Sequence, residues 1–244
     1  MGVLVEGPES ATLEHVVLDR DGVAVPVTHA RPDGMPVAGI VLHPDIMGNR
    51  DLFDDMALRL ATHGFAVACV EPFARVAAAE REAAEPVARM GWIPALDDAN
   101  QLGDLEAAAN YLMVHDDVSS VGLLGFCMGG CYVFKSAHSE WFDRAVAFYG
   151  MVVLPEGWRG PAVAEPLATL ADACPTLAIF GSADTYTPAA DIEALRSAWQ
   201  RRSDCEIIVI DGAEHGFVHA PERPAHRPDD AARLWQRTLE WLRP

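Results

Sequence analysis

Basic residues are scarce in this chain of 244 residues. It contains 18 Lys+Arg against 36 Asp+Glu, and its formal net charge is −18 at pH 7. Proteins that bind nucleic acid through phosphate contacts present a basic patch, and anionic membranes attract basic segments. The charge therefore argues against both kinds of partner. Lysine is nearly missing altogether, because Lys135 is the only one and arginine carries the other positive charges.

Long apolar runs are also missing. A helix that spans a membrane needs about 18 or more consecutive apolar residues, and the sequence has no such run. Residues 1–9 have neither the basic residues nor the apolar stretch typical of a secretory signal. We therefore expect a soluble, cytoplasmic protein.

The cysteine pattern offers no disulfide framework, because five dispersed cysteines cannot all pair within the chain. Cys127 and Cys131 are four residues apart, but no second pair and no neighbouring histidine complete a zinc motif. We therefore predict reduced thiols, no metal and no cofactor.

Half of the residues are hydrophobic, which is enough for a sizeable core. Asp21-Gly22 predicts the turn of an N-terminal β-hairpin. Further along, short apolar runs alternate with longer helical segments, including helices predicted over 51–63 and over the Ala-, Glu- and Arg-rich stretch 74–89. This alternation predicts an α/β fold in one domain, residues 1–244, with a mostly parallel sheet and helices on both faces. Buried strands are predicted over 37–42, 65–70, 120–126, 144–148, 176–180 and 206–210.

Gly125-Phe126-Cys127-Met128-Gly129 follows one of these strands and opens a helix. The pattern is a cysteine version of the nucleophile elbow, in which side chains two residues before and after the nucleophile would collide in the sharp turn. The helix N-terminus would favour a thiolate, and the Met128 N–H would face a developing oxyanion. The alternative is a structural cysteine buried in a glycine-rich turn.

Two residues downstream complete the set that a cysteine nucleophile needs. Asp184 follows the strand at 176–180, and His215 follows the strand at 206–210. The order nucleophile, acid, histidine is that of α/β-hydrolases, and each residue stands at the carboxyl end of a strand. Singly, Asp184 also suits a helix cap and His215 an ordinary loop. Together they predict a Cys127–Asp184–His215 triad.

These motifs resemble the dienelactone hydrolase (carboxymethylenebutenolidase) family of the α/β-hydrolase superfamily. The resemblance runs from about residue 12 to the C-terminus, and the elbow and Glu214-His215-Gly216-Phe217 are its most specific parts. It implies that Cys127 attacks a lactone or ester carbonyl, with His215 as the base that Asp184 orients. Further matching stretches are 43–48, 71–75 and 103–108.

The resemblance also implies roles for neighbouring residues. The backbone N–H groups of Ile46 and Met128 would form the oxyanion hole, and Asp45 would hold the thiol, at a position where the family more often has glutamate. Substrate carboxylate would be bound by Arg81 or Arg89 and at position 219, where this chain has His219 instead of arginine. Other arginines that remain candidates are Arg75, Arg223 and Arg227.

The sequence thus predicts a cysteine-dependent hydrolase of a small lactone or ester that works through a thioacyl-enzyme, as a monomer or small homo-oligomer. One alternative is a glutamine-amidotransferase-like domain, which also uses a cysteine elbow. Such domains have His-x-Glu near the end, however, and here Phe217 stands at the acidic position. A second alternative is a non-catalytic or redox-sensing relative that keeps the fold and a reactive thiol.

Overall fold

The N-terminal hairpin forms at the predicted turn. The structure, a computed structural model, describes residues 4–244. Strands β1 (Ala11–Arg20) and β2 (Val23–Pro32) pair antiparallel. Asp21 and Gly22 between them have φ angles of 54° and 81°, the left-handed values that a tight hairpin turn requires.

The other strands join this hairpin in a single eight-stranded sheet. Its order is β1-β2-β4-β3-β5-β6-β7-β8. β2 pairs antiparallel with β4, and all neighbours from β4 to β8 are parallel. The parallel strands are β3 (Ala38–His43), β4 (Phe65–Val70), β5 (Val121–Phe126), β6 (Arg144–Phe148), β7 (Thr176–Gly181) and β8 (Glu206–Ile210).

Helices cover both faces of the sheet, and each face has its own buried apolar cluster. They are α1 (Asp51–Thr62), α2 (Ala78–Ala83), α3 (Asp98–His115), α4 (Met128–Ser136), α5 (Ala189–Ala198) and α6 (Pro228–Leu242). Asp97 caps α3 by accepting a hydrogen bond from the Asn100 N–H. The predicted α/β architecture, a mostly parallel sheet with an N-terminal antiparallel hairpin and helices on both faces, is confirmed.

The prediction of one continuous helix over 74–89 is wrong. Only α2 is α-helical there, and a 3₁₀ segment over Pro86–Ala95 follows it. Glu85 has an extended ψ of 142°, because a proline disfavours the helical conformation of the residue before it. The Arg81 guanidinium donates hydrogen bonds to three carbonyl groups between residues 73 and 76, which holds the preceding segment in a non-helical turn.

None of the helices in the described range combines the length and the apolarity needed to cross a bilayer.

Candidate active site

Loops from five neighbouring parallel strands meet at one edge of the sheet. β3 leads to Asp45, β5 to Cys127, β6 to Tyr149, β7 to Asp184 and β8 to His215. In an open parallel sheet the carboxyl ends of the strands form the crevice in which ligands bind. The fold therefore places all the residues of the predicted triad on the edge where chemistry is expected.

Cys127 occupies a strained turn between β5 and α4. Its φ and ψ are 56° and −115°, a region that residues with a side chain rarely adopt and that occurs mostly at functional sites. The turn is fixed by the Cys127 N–H, which donates to the Phe148 carbonyl at 3.0 Å. The residue is only partly buried, unlike Cys69 and Cys131.

The two flanking glycines are required by close backbone contacts. A Cβ on Gly125 would lie 2.3 Å from the Gly129 carbonyl oxygen, and a Cβ on Gly129 would lie 2.2 Å from the His43 carbonyl oxygen. The first contact is the collision expected of an elbow. The second shows that the start of α4 touches the loop after β3, the loop that carries Ile46.

His215 and Asp184 form a close pair. His215 Nδ1 donates to Asp184 Oδ2 at 2.7 Å, and the same carboxylate accepts from the Tyr186 N–H at 2.8 Å. Burial by itself would raise the pKa of Asp184, but the hydrogen bond and charge of His215 together with the hydrogen bond from the Tyr186 N–H outweigh it, and the pKa is lowered. Asp184 is therefore a carboxylate that fixes the orientation of the imidazole.

The environment of His215 favours its protonated form. Burial works against the charge, but hydrogen bonds with Asp184 and Cys127 raise the pKa of His215 to about 9. The Cys127 thiol thus lies close enough to this imidazole to influence its charge. An imidazolium between a carboxylate and a sulfur is suited to deliver a proton to a leaving group.

Two tyrosine rings enclose the imidazole edge-on. The centroid of Tyr149 lies 5.1 Å from that of His215, and the centroid of Tyr186 lies at 4.9 Å. Tyr149 is fully buried, with a φ of 40°, whereas Tyr186 is 59% exposed. Burial raises the pKa of Tyr149 well above its usual value, so its hydroxyl stays protonated. The imidazole is therefore packed between the buried ring of Tyr149 and the exposed ring of Tyr186.

Two backbone N–H groups are available for an oxyanion. Within residues 4–244, the N–H groups of Ile46 and Met128 have no protein acceptor. Met128 is the first residue of α4, so no carbonyl of its own helix can pair with it. After Ile46, the N–H groups of Met47 and Gly48 both bond to Asp45. Ile46 follows β3 and Met128 begins α4, and these two segments are in contact where Gly129 meets the His43 carbonyl group.

Asp45 does not serve the thiol as expected. Its two oxygens accept from Arg50 at 2.7 and 2.8 Å, and Oδ2 also accepts from His219 Nε2 at 2.9 Å. Burial works to raise the pKa of Asp45, but His219 and Arg50 lower it strongly. This short side chain is held by Arg50 and His219, and no hydrogen bond to Cys127 is found in the described residues. The predicted contact with the thiol is not formed.

His219, predicted to bind substrate, is instead buried in the protein. Its ring stacks on Phe126, with the ring centroids 5.0 Å apart. Its Nε2 is hydrogen-bonded to Asp45, and its Nδ1 is hydrogen-bonded to the Tyr149 hydroxyl. Burial lowers the pKa of His219 despite the carboxylate beside it. A neutral imidazole with both nitrogens in use links the loops after β3, β6 and β8 and has no free donor for substrate.

Arg81 and Arg89 lie in the segment that follows β4. Arg89 donates to the carbonyls of Met47 and Asn49, both at 3.1 Å, and to the Arg81 carbonyl at 3.1 Å. The Arg81 guanidinium donates its hydrogen bonds to the carbonyl groups of the turn at residues 73–76. These bonds tie the segment to the loop after β3, and contact of either arginine with substrate stays a prediction.

Among the described residues, Arg223 differs from the other candidate arginines because its guanidinium has neither a carboxylate nor a carbonyl partner. Arg75 pairs with Asp104, and Arg227 pairs with Asp230. The Arg223 guanidinium has no acceptor among the described residues. It lies so close to Gly216 that a Cβ there would be 2.2 Å from Nη1, which places an unpaired cation beside the residue that follows His215.

The comparisons with known proteins point to one family. The dienelactone hydrolase family matches residues 25–244. A protein of Escherichia coli O157:H7 named "Putative carboxymethylenebutenolidase" is 29% identical over 98% of this chain and 90% of its own length. A Bradyrhizobium protein named "Probable 2-oxo-3-(5-oxofuran-2-ylidene)propanoate lactonase" is 29% identical over 84% of this chain and 82% of its own.

A solved structure agrees in fold. The "Putative Dienelactone Hydrolase" from Klebsiella pneumoniae superposes with a TM-score of 0.85 and 25% identity, over 95% of this chain and 98% of that one. The match leaves the glutamine-amidotransferase alternative without support, in agreement with the buried Phe217 at the position where an acid would be needed. The chain belongs to the dienelactone hydrolase family and is a hydrolase with the α/β-hydrolase fold.

Proposed function

We propose that this protein hydrolyses a small ester or lactone through a thioacyl-enzyme on Cys127. The observation that carries the proposal is the 2.7 Å hydrogen bond between His215 and Asp184, with the Cys127 thiol near enough to the same imidazole to raise its pKa. A nucleophile, a base and a group that orients the base are the set that covalent catalysis requires.

In acylation, His215 takes the proton of the Cys127 thiol as the sulfur forms a bond to the carbonyl carbon, and the electrons of the C=O π bond move to the oxygen, which becomes negative. The N–H groups of Ile46 and Met128 donate to that oxygen. When the intermediate collapses, the C–O bond breaks and His215 gives its proton to the leaving oxygen. In a lactone that oxygen stays attached to the acyl chain.

In deacylation, water attacks the thioester carbon and His215 takes the proton from it. The C–S bond breaks, the carboxylic acid leaves and Cys127 is restored. Asp184 stays ionised through both steps and stabilises the imidazolium whenever it forms. Atoms balance with water as the only co-reactant.

A carboxylated lactone is the substrate class that fits best. One relative is named for a furan-ylidene propanoate, which is a lactone with a carboxylate. Arg223 supplies an unpaired guanidinium beside Gly216, and arginine binds carboxylate by two parallel hydrogen bonds. Such a local cation is needed because the net charge of −18 repels an anion from the rest of the surface.

The test is hydrolysis of p-nitrophenyl acetate and of a carboxylated lactone by the protein and by Cys127→Ala. We expect the variant to lose at least about 10³-fold in kcat/KM on both substrates. Cys205→Ala, a change at a partly buried cysteine before β8, is the matched control and should keep its activity. Unchanged turnover in Cys127→Ala would refute the proposal.

A further inference from the structure

A second cluster of chemically reactive side chains lies on the hairpin side of the protein. His29 on β2 stands opposite Glu14 on β1, and both lie near His115, the last residue of α3, and Asp116, which follows it. α3 leads from β4 to β5, two strands that point the same way, so its end lies at the amino edge of the sheet. The triad is at the carboxyl edge, so the cluster is separate from the active site.

Three side chains of the cluster converge on one point. His29 Nε2 is 2.8 Å from Asp116 Oδ2, and His115 Nδ1 is 3.4 Å from Asp116 Oδ1. One ligand atom from each of the three residues lies within 4.8 Å of the others. In a tetrahedral zinc site with bonds of about 2.0–2.1 Å, neighbouring ligand atoms are roughly 3.3 Å apart, so small side-chain shifts would admit the ion.

We propose that His29, His115 and Asp116 form a binding site for Zn²⁺. Two imidazoles and one carboxylate are a donor set that zinc accepts, and imidazole nitrogen favours zinc over Mg²⁺ or Ca²⁺. His29 and Asp116 have fully buried side chains, while the His115 side chain is 45% exposed. Water completes the fourth position on the exposed side.

Glu14 gives the site the outer support that zinc ligands normally have. Its Oε1 lies 3.1 Å from His29 Nδ1, and the Tyr111 hydroxyl lies 3.4 Å from the same nitrogen. A carboxylate that accepts the Nδ1 proton directs the lone pair of the imidazole to Nε2, the atom that faces Asp116. The buried histidine is therefore already oriented as a ligand.

The local field also favours a cation. Asp116 and Glu14 bring two carboxylates, and the C-terminal end of α3 adds the negative end of its dipole. The positive group nearby is Arg31, whose Nη1 lies 3.7 Å from Asp116 Oδ1 and whose side chain is 41% exposed. It can turn into solvent when a metal takes its place beside the carboxylate.

Zinc at this position would join the hairpin to the end of α3. A bound ion that is absent from the unfolded chain raises thermal stability.

The experiment is a zinc titration of the full chain, stripped with EDTA and carrying no affinity tag. Because thiolates and His215 also bind zinc, the titration uses Cys127→Ala as the background, which tests this site whether or not Cys127 is catalytic. We expect one equivalent of Zn²⁺ in competition with a chromogenic chelator, and a rise in Tm on zinc addition.

The added change His115→Ala should weaken zinc binding by more than about tenfold and remove the rise in Tm. Because His115 is half exposed, this variant should still fold. His138→Ala, at an exposed histidine beyond α4, is the matched control and should bind as the background does. Equal binding by the two variants, or binding in neither of them nor in the background, would overturn the proposal.

Discussion

His215 Nδ1 lies 2.7 Å from Asp184 Oδ2, and this contact joins the loops that follow β7 and β8. The carboxylate side chain is fully buried and also holds the Tyr186 N–H. The pair is thus fixed before substrate arrives. The account of catalysis depends on this relationship, because a free imidazole would have no defined direction toward Cys127.

Asp184→Asn tests the pair most simply. The amide keeps the shape but cannot hold the imidazole in the same tautomer or stabilise its charge, so kcat should fall by about 10²- to 10⁴-fold. The measurement is steady-state hydrolysis of p-nitrophenyl acetate. Asp211→Asn, at an exposed residue after β8, is the control. If both variants kept full kcat, Asp184 would have no catalytic role.

The raised pKa of His215 predicts how stability depends on pH. Its pKa is about 9 in the folded protein against 6.5 in the reference state. A group with a raised folded pKa stabilises the protein fully below its unfolded pKa, and this contribution disappears as the pH rises through the folded pKa. The contribution of His215 should therefore decline between about pH 6.5 and 9.

Urea unfolding of the protein and of His215→Gln at several pH values checks this dependence. The difference in unfolding free energy between the two should be largest near pH 6 and shrink toward pH 9. Subtracting the variant removes the effect of His29, whose pKa is also raised. A difference that stays constant over this range would show that His215 gains no charge stabilisation in the fold.

Gly129→Ala tests the contact between α4 and the loop after β3. The new Cβ would lie 2.2 Å from the His43 carbonyl oxygen, so backbone must shift and the free energy of unfolding should fall by about 1–3 kcal/mol. Activity should fall as well, because the shift separates the N–H groups of Ile46 and Met128. Urea unfolding and kcat measure the two effects.

Gly157→Ala is the control for that change, because a Cβ at Gly157 meets no atom within 4 Å. It should leave stability within about 0.5 kcal/mol and activity unchanged. Full activity in Gly129→Ala would mean that the oxyanion N–H groups lie elsewhere.

Arg223→Gln tests the substrate class. Losing one charged hydrogen-bonding group should reduce kcat/KM on a carboxylated lactone by about 10- to 100-fold. Hydrolysis of p-nitrophenyl acetate, which has no carboxylate, should be unchanged. Arg233→Gln, at a side chain that is 72% exposed, serves as the control. An equal loss on both substrates would assign Arg223 a structural role.

Features set by local sequence were predictable. The elbow follows from two glycines spaced around Cys127, and strands such as β4 and β6 follow from unbroken apolar runs. The position of each chemical residue at a strand end then follows from the fold. These predictions depend on neighbours a few residues away, whose effects on the backbone are general.

The partners of polar side chains were less predictable. Asp45 was expected to meet the thiol, but Arg50, five residues on, binds its carboxylate with both nitrogens. His219 is buried by packing on Phe126, a residue far from it in sequence. Likewise, His29 meets His115 and Asp116 only because β2 lies near the end of α3, so no spacing along the chain indicates the cluster. Such contacts depend on tertiary packing that a single sequence does not display.

Detection of the thioacyl-enzyme on Cys127 is the most direct test of the proposed mechanism. The protein is mixed with p-nitrophenyl acetate, quenched in acid within the first turnover, digested and analysed by mass spectrometry. The account predicts a burst of about one equivalent of p-nitrophenolate and an acetyl group on the peptide that contains Cys127. An acetyl group on another residue, or turnover with no acylated Cys127, would contradict it.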